Sequence, residues 1–211
     1  MHSTKRLIPF IVIVAILSSI SLLPALAYEA DAPRGPLYHH DRPVQQKPII
    51  DENGEVFYFD LDWVKENLNK WYTDEEIRQT GCIVQAEDII ANSDTIWSAH
   101  VWCILDRVGA PGFSGNDSII GILSAPRQFD TYTSSNLSKA VDPSIDWIVR
   151  DVFARKVLEN YGAPSEVVGR TLPPEYHYFR AGGGIYNRFW TSWAGGAEYD
   201  PFSAPHNPYS N

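Results

Sequence analysis

Glu87 and Asp88 stand between Val84-Gln85-Ala86 and Ile89-Ile90-Ala91, so two adjacent carboxyls interrupt an otherwise apolar stretch. The helical pattern upstream places Glu87 at a helix end. There, burial disfavours the anion, and so does the negative end of the helix dipole. A glutamate held protonated near neutral pH in this way can act as a general acid on a glycosidic oxygen. A solvated helix-end glutamate is the plainer alternative. Asp88 would point away from Glu87 on a helix, so Asp94 is the better candidate for a second carboxyl.

Cys82 and Cys103 are the only cysteines. A thiol nucleophile with His100 as its base is one possible chemistry, since His100 lies three residues before Cys103. Both cysteines fall in apolar helical stretches, however, which suits a disulfide better than an activated thiolate. The pair is expected to form one disulfide, with two free buried thiols as the alternative. Two cysteines without a histidine at ligand spacing cannot complete a tetrahedral shell, so no metal and no cofactor is expected.

The elements that must position these groups are mainly helical. Leu61, Val64 and Leu68 repeat at helical spacing from Asp60 onward, with Trp63 and Trp71 alongside. Thr73 stands three residues before Glu76, a capping box that opens a helix through about Ala86. Asp94 is the expected N-cap of the next helix, whose stripe is Trp97, Val101, Ile104, Leu105 and Val108. Gly109 and Pro111-Gly112 end it. Ile119, Ile120, Ile122 and Leu123 make a short buried segment. Asp142-Pro143 starts a long helix that Gly162 closes. Beyond Gly169 the chain is rich in Pro, Gly and aromatics, with a short strand expected at 176–180. The expected architecture is four or five helices with a short β element near the C-terminus.

Upstream of the helices, Lys5 and Arg6 precede an apolar run at 7–26 and the small-x-small site Ala25-Leu26-Ala27. Residues 1–27 are therefore expected to be a cleavable signal peptide, with Tyr28 the first mature residue. An uncleaved membrane anchor is the alternative, because the run is long enough to span a bilayer. Residues 28–72 read as an arm with a short helix, 73–197 as the main domain and 198–211 as an irregular tail. His39-His40 in the arm are expected to be solvated. A net charge of −9 argues against nucleic acid or an anionic membrane as a partner. The 7 Trp, 11 Tyr and 9 Phe exceed what a small core needs. Sugar-binding grooves use such rings, although buried structural aromatics are the commoner explanation.

After Glu87 come Ile104-Leu105-Asp106-Arg107-Val108, Gly112-Phe113-Ser114, Ile119-Ile120-Gly121-Ile122-Leu123 and Arg127-Gln128-Phe129 with Tyr132. Tyr176-His177-Tyr178-Phe179 and Asn187-Arg188-Phe189-Trp190 follow. This order and spacing resembles the cell wall hydrolase family of bacterial spore-cortex-lytic enzymes over roughly residues 74–193. The resemblance implies a compact lysozyme-like helical domain that cleaves the bond between N-acetylmuramic acid and N-acetylglucosamine in peptidoglycan glycan strands, with Glu87 on the family's catalytic glutamate. Three departures stand out. Asp88 replaces an alanine, Asp106 replaces an asparagine, and one residue is inserted near 92–94.

One essential carboxyl fits lytic transglycosylation, whereas hydrolysis needs an activated water or a second carboxylate. The resemblance makes Gln128, Tyr132, Tyr178 and Asn187 candidate substrate-binding residues. Gln128 and Tyr132 can hold the substrate N-acetyl group, orient Glu87 or simply cap a turn. Arg107 reads as structural, and Phe113 and Phe129 as core. The expected protein is thus an exported, monomeric glycosidase, secreted or held in the cell envelope. The alternatives are a glycan-binding or structural wall domain without catalysis and, further off, a Cys/His wall endopeptidase.

Overall fold

The computed structural model describes residues 49–50, 56–57, 60–87, 93–181 and 187–210. The signal-peptide stretch 1–27, most of the arm including His39-His40, and Asp88 lie outside the described residues. About half of the described residues are helical, so the mainly α expectation holds at that level.

Two helices form the centre. α3 (Asp94–Arg107) buries Ile96, Trp97, Ala99, Val101, Trp102, Cys103, Ile104 and Leu105, which lie around its whole circumference. The single stripe expected for it is therefore too narrow: a helix buried on every face needs its polar groups partnered. Ser98 meets that need with Thr171 at 2.7 Å, and His100 with Asn187 at 3.1 Å. α6 (Pro143–Asn160) packs along α3 and buries Ile148, Val152, Phe153 and Leu158. Its start follows the Asp-Pro signal, since Asp142 accepts from the Ser144 amide at 2.8 Å with Pro143 in the first turn.

Around this pair lie α1 (Leu61–Glu66), α2 (Asp74–Glu87) and the one-turn α4 (Ile119–Ser124). The capping box at α2 is present in both directions. The Glu76 amide donates to Thr73 Oγ1 at 3.2 Å, and the Thr73 amide donates to Glu76 Oε2 at 2.8 Å. At α3 the cap position belongs to Ser93, and Asp94 is the first helical residue. Two single-turn helices, α5 (Ser134–Leu137) and α7 (Ser165–Val168), carry too little sequence to show a period.

The β content is small. β1 (Ile49–Ile50) pairs antiparallel with β2 (Val56–Phe57). β3 (Tyr178–Ala181), β4 (Asn187–Trp190) and β5 (Glu198–Tyr199) form an antiparallel sheet in that order. Phe189 is wholly buried and the neighbouring Phe179 rests on His100, so one face of the sheet closes the core.

Both domain boundaries shift. Val64 and Leu68, assigned to the arm, belong to the core cluster. The tail is not irregular: it supplies β5 and then buries Tyr209, whose hydroxyl donates to Asp151 at 2.5 Å. Asn207 also donates to Thr95 at 3.1 Å. The two polar anchors lie far from their partners in sequence, so local periodicity could not signal them.

Cys82 and Cys103 are free thiols that do not lie near each other, which corrects the expected disulfide. Cys82 faces the 137–141 segment, with its sulfur 3.7 Å from the Lys139 carbonyl. Cys103 is buried within α3. Packing on two different surfaces keeps the sulfurs apart, and no bridge forms without backbone movement.

Two measurements check this description. Asp151→Asn should destabilise the fold by about 3–5 kcal/mol in denaturant unfolding, since it leaves buried cations uncompensated. Asp146→Asn, in an exposed pair on the same helix, should cost less than about 1 kcal/mol. Unfolding without reductant in the presence of iodoacetamide should add two adducts per chain, and a chain that takes up none would restore the disulfide.

Candidate active site

Glu87 is the last residue of α2. The first turns of that helix are fixed by the capping box, and Ile77, Ile83 and Val84 anchor its inner face in the core. The helix therefore delivers Glu87 at its C-terminal end, half-buried. The segment between α4 and α5 meets it there. Phe129 is buried and holds that segment down, and Thr131 Oγ1 donates to Glu87 Oε1 at 2.5 Å. The Thr131 carbonyl in turn accepts from Asn136 at 2.9 Å, so α5 fixes the threonine. Arg127, just upstream, is the one non-glycine residue with positive φ among those described, at 66°. That strained conformation turns the chain between α4 and the Glu87 contact.

Burial raises the Glu87 pKa above the ordinary carboxylate value, and the nearby charge of Asp130 pushes it the same way. The Thr131 hydrogen bond and the Arg107 charge oppose the rise without cancelling it. A raised glutamate pKa is what the sequence led us to expect, with burial as its main cause. The neighbouring acid that acts on it is Asp130, which sequence reasoning missed, and Asp94 is not among the charges acting on Glu87. Asp94 lies exposed at the first turn of α3.

Arg107 closes α3 and is buried. It donates from Nε to the His177 carbonyl at 2.8 Å and from Nη1 to Gln128 Oε1 at 3.3 Å. Its guanidinium lies 4.8 Å from the Phe129 ring centroid, 5.1 Å from Phe113 and 6.0 Å from Tyr178. Through this one side chain, the end of α3, the Gln128 turn and the start of β3 are brought together.

The predicted binding residues divide accordingly. Gln128 belongs to the Arg107 cluster, but both ends of its amide are engaged, the second donating to the Ser114 carbonyl at 3.1 Å. Tyr178 stacks obliquely on Phe113 at 5.3 Å and borders Arg107. The Asn187 side-chain amide donates to His100 Nε2 at 3.1 Å and so rests against the core. The Tyr132 hydroxyl points elsewhere, donating to Gln79 Oε1 at 2.9 Å. Gln79 lies two turns before Glu87, about 12 Å along the helix. The residue on Glu87 is thus Thr131, one position before the aromatic that the motif singled out. Nothing in its local sequence marks it.

The geometry disfavours thiol chemistry. Burial pushes Cys103 up to about 11 and drives His100 down to about 3, so neither a thiolate nor an imidazolium is favoured. Cys82 is raised as well. A separate cavity of about 360 Å³ is lined by Tyr72, Leu105, Asp106, Ile119, Lys156 and Pro174, none of which touches Glu87. Asp106 is occupied by ion pairs to Lys156 and Arg170. That pairing explains why an acid is tolerated at a nearly buried position.

Comparison with family models, with curated proteins and with solved structures gives no significant match.

Two variants test the origin of the Glu87 shift. Thr131→Val removes a hydrogen bond that favours the carboxylate and should raise the Glu87 pKa further. Asp130→Asn removes a like charge and should lower it. Carboxyl carbon NMR titration reads both, and shifts of the same sign in the two variants would contradict this account.

Proposed function

We propose that the protein is an exported glycosidase that cleaves the bond between N-acetylmuramic acid and N-acetylglucosamine in peptidoglycan, acting as a lytic transglycosylase. The observation that carries this reading is the state of Glu87. A half-buried carboxyl whose pKa is raised by burial, at the end of a fixed helix, is suited to the role of proton donor. The resemblance of the ordered motifs to the spore-cortex-lytic hydrolases points to the same residue and supplies the substrate. A lysozyme-like arrangement is the finer fold reading that goes with it. The 1–27 leader would place a monomeric enzyme in the envelope or outside the cell, where that substrate lies.

Glu87 would protonate the bridging oxygen as the bond to the muramic anomeric carbon breaks. Thr131 then donates to the carboxylate so formed. The muramic 6-hydroxyl closes on the anomeric carbon, and its proton returns to Glu87. One carboxyl serves as acid and then as base, and no water enters.

Hydrolysis is the second reading, and Asp130 is the observation that favours it. It supplies a carboxylate near Glu87 that Asp94 does not. Glu87→Gln should lower release of soluble muropeptides from purified sacculi by about 10²–10⁴-fold while leaving thermal unfolding unchanged. Undiminished release would remove Glu87 from the mechanism. Mass spectra of the wild-type products decide between the readings: anhydro-muramic ends mark transglycosylation, and reducing ends mark hydrolysis.

A further inference from the structure

Trp193 is 70% exposed, the most exposed of the large hydrophobic side chains described. It does not sit on a loose loop. The turn between β4 and β5 is braced by hydrogen bonds from the Thr191 amide to the Ala197 carbonyl at 3.1 Å and from the Ala197 amide to Thr191 Oγ1 at 3.0 Å. The Gly196 amide also donates to Ser192 Oγ at 3.1 Å. Gly196 is tight enough that a Cβ there would lie 2.2 Å from Thr191 Oγ1. A fixed turn thus holds a large apolar indole in water.

The indole continues a line of rings that leads to the Arg107 guanidinium. Trp193 lies 6.4 Å from Tyr178, Tyr178 lies 5.3 Å from Phe113, and both Tyr178 and Phe113 border the Arg107 guanidinium. Arg107 is the cation whose charge reaches Glu87. Arg180 lies on the same face of β3 as Tyr178, two residues on, and its guanidinium covers the Trp190 ring at 4.6 Å. The sheet's outer face therefore combines aromatic rings with a cation, on a chain of net charge −9.

We propose that Trp193 and Tyr178 form a stacking platform for the pyranose rings of an acetamido-sugar strand, running outward along the sheet from the Arg107 cluster. The inference rests on the glycosidase reading for its choice of ligand. Aromatic faces accept the apolar C–H face of a sugar ring while its hydroxyls stay in water. Arg180 adds a donor beside the platform for acetamido carbonyls or the carboxylates of the strand. The hydrogen bond to Glu87 comes from Thr131 and not from the platform residues, so the platform acts on binding and not on proton transfer.

The test uses tetra-N-acetylchitotetraose and the full-length chain carrying Glu87→Gln, so that binding is read without turnover. Calorimetry and tryptophan fluorescence should show that Trp193→Ala weakens binding by about tenfold, that Trp193→Phe keeps most of it, and that Trp147→Ala leaves it unchanged. On sacculi, Trp193→Ala alone should raise KM, with little effect on kcat. Equal affinity of Trp193→Ala and the parent overturns the platform, as does a parent that does not bind the tetramer. These outcomes are independent of catalysis. If Glu87→Gln still releases muropeptides, the acid assignment fails while a Trp193-dependent affinity stands.

Discussion

The carboxylate of Asp151 is the point on which the rest of the structure depends. It is buried in the middle of α6 and meets Lys65 from α1, Arg155 one turn along its own helix at 2.5 Å, and the Tyr209 hydroxyl from the tail. Arg155 then donates to the Val167 and Val168 carbonyls of α7 at 3.1 and 3.0 Å. Gly169, at φ 60°, lets the chain pass so close that a Cβ there would lie 2.9 Å from the Arg155 guanidinium. Three segments, α1, α7 and the tail, are thereby tied to one helix. Burial alone would raise the Asp151 pKa, but the two cations hold it below the ordinary carboxylate value. A depressed pKa means that the stabilisation is present above the unfolded-state value and fades as pH falls through the folded one. Tyr209 is shifted upward, so it remains a donor throughout.

With α6 fixed in this way, α3 is fixed against it, and α3 ends in the second buried cation. Arg107 has no carboxylate in ion-pair contact among the described residues. Two carbonyl oxygens and the faces of surrounding rings satisfy it instead. A cation held by neutral partners keeps its field for other groups, and Glu87 is one of them. The balance at Glu87 would suit the double role proposed for it. Burial and Asp130 favour the protonated form that gives a proton away. Thr131 and Arg107 favour the carboxylate that remains and must take one back.

The parts of this arrangement legible in sequence are those written in short range. Thr73 with Glu76, and Asp142 with Pro143, each fix a helix start through neighbours within one turn. Glu87 stands out because a charge in an apolar run is visible without a fold. The contacts that complete the site are not written that way. Thr131 reaches Glu87 across 44 positions, and Tyr209 reaches Asp151 across 58. Neither residue type signals its partner. The cysteine pairing failed for a related reason: even number and export speak to redox context, whereas a bridge depends on which helix surfaces face each other. The resemblance singles out Tyr132, yet its hydroxyl donates to Gln79, and the adjacent Thr131 is the residue that reaches the acid.

On the proposed transglycosylase reading, a site with one half-buried acid would place a particular demand on its surroundings. The nucleophile would come from the substrate, which would have to be held in one pose while the proton moves out and back. Orientation then matters more than an additional charged group. The supporting shell fits that demand, because Gln128, Arg107 and the His177 carbonyl form a closed hydrogen-bonded unit with no free arm to swing. Such a unit fixes the rings beside it, while Thr131 holds Glu87 itself. On the proposed reading, the grip on a long polymer would come from further out, where Tyr178 and the exposed Trp193 continue along the sheet. Rigidity near the acid and contact area away from it are thus two parts of one solution to positioning a strand.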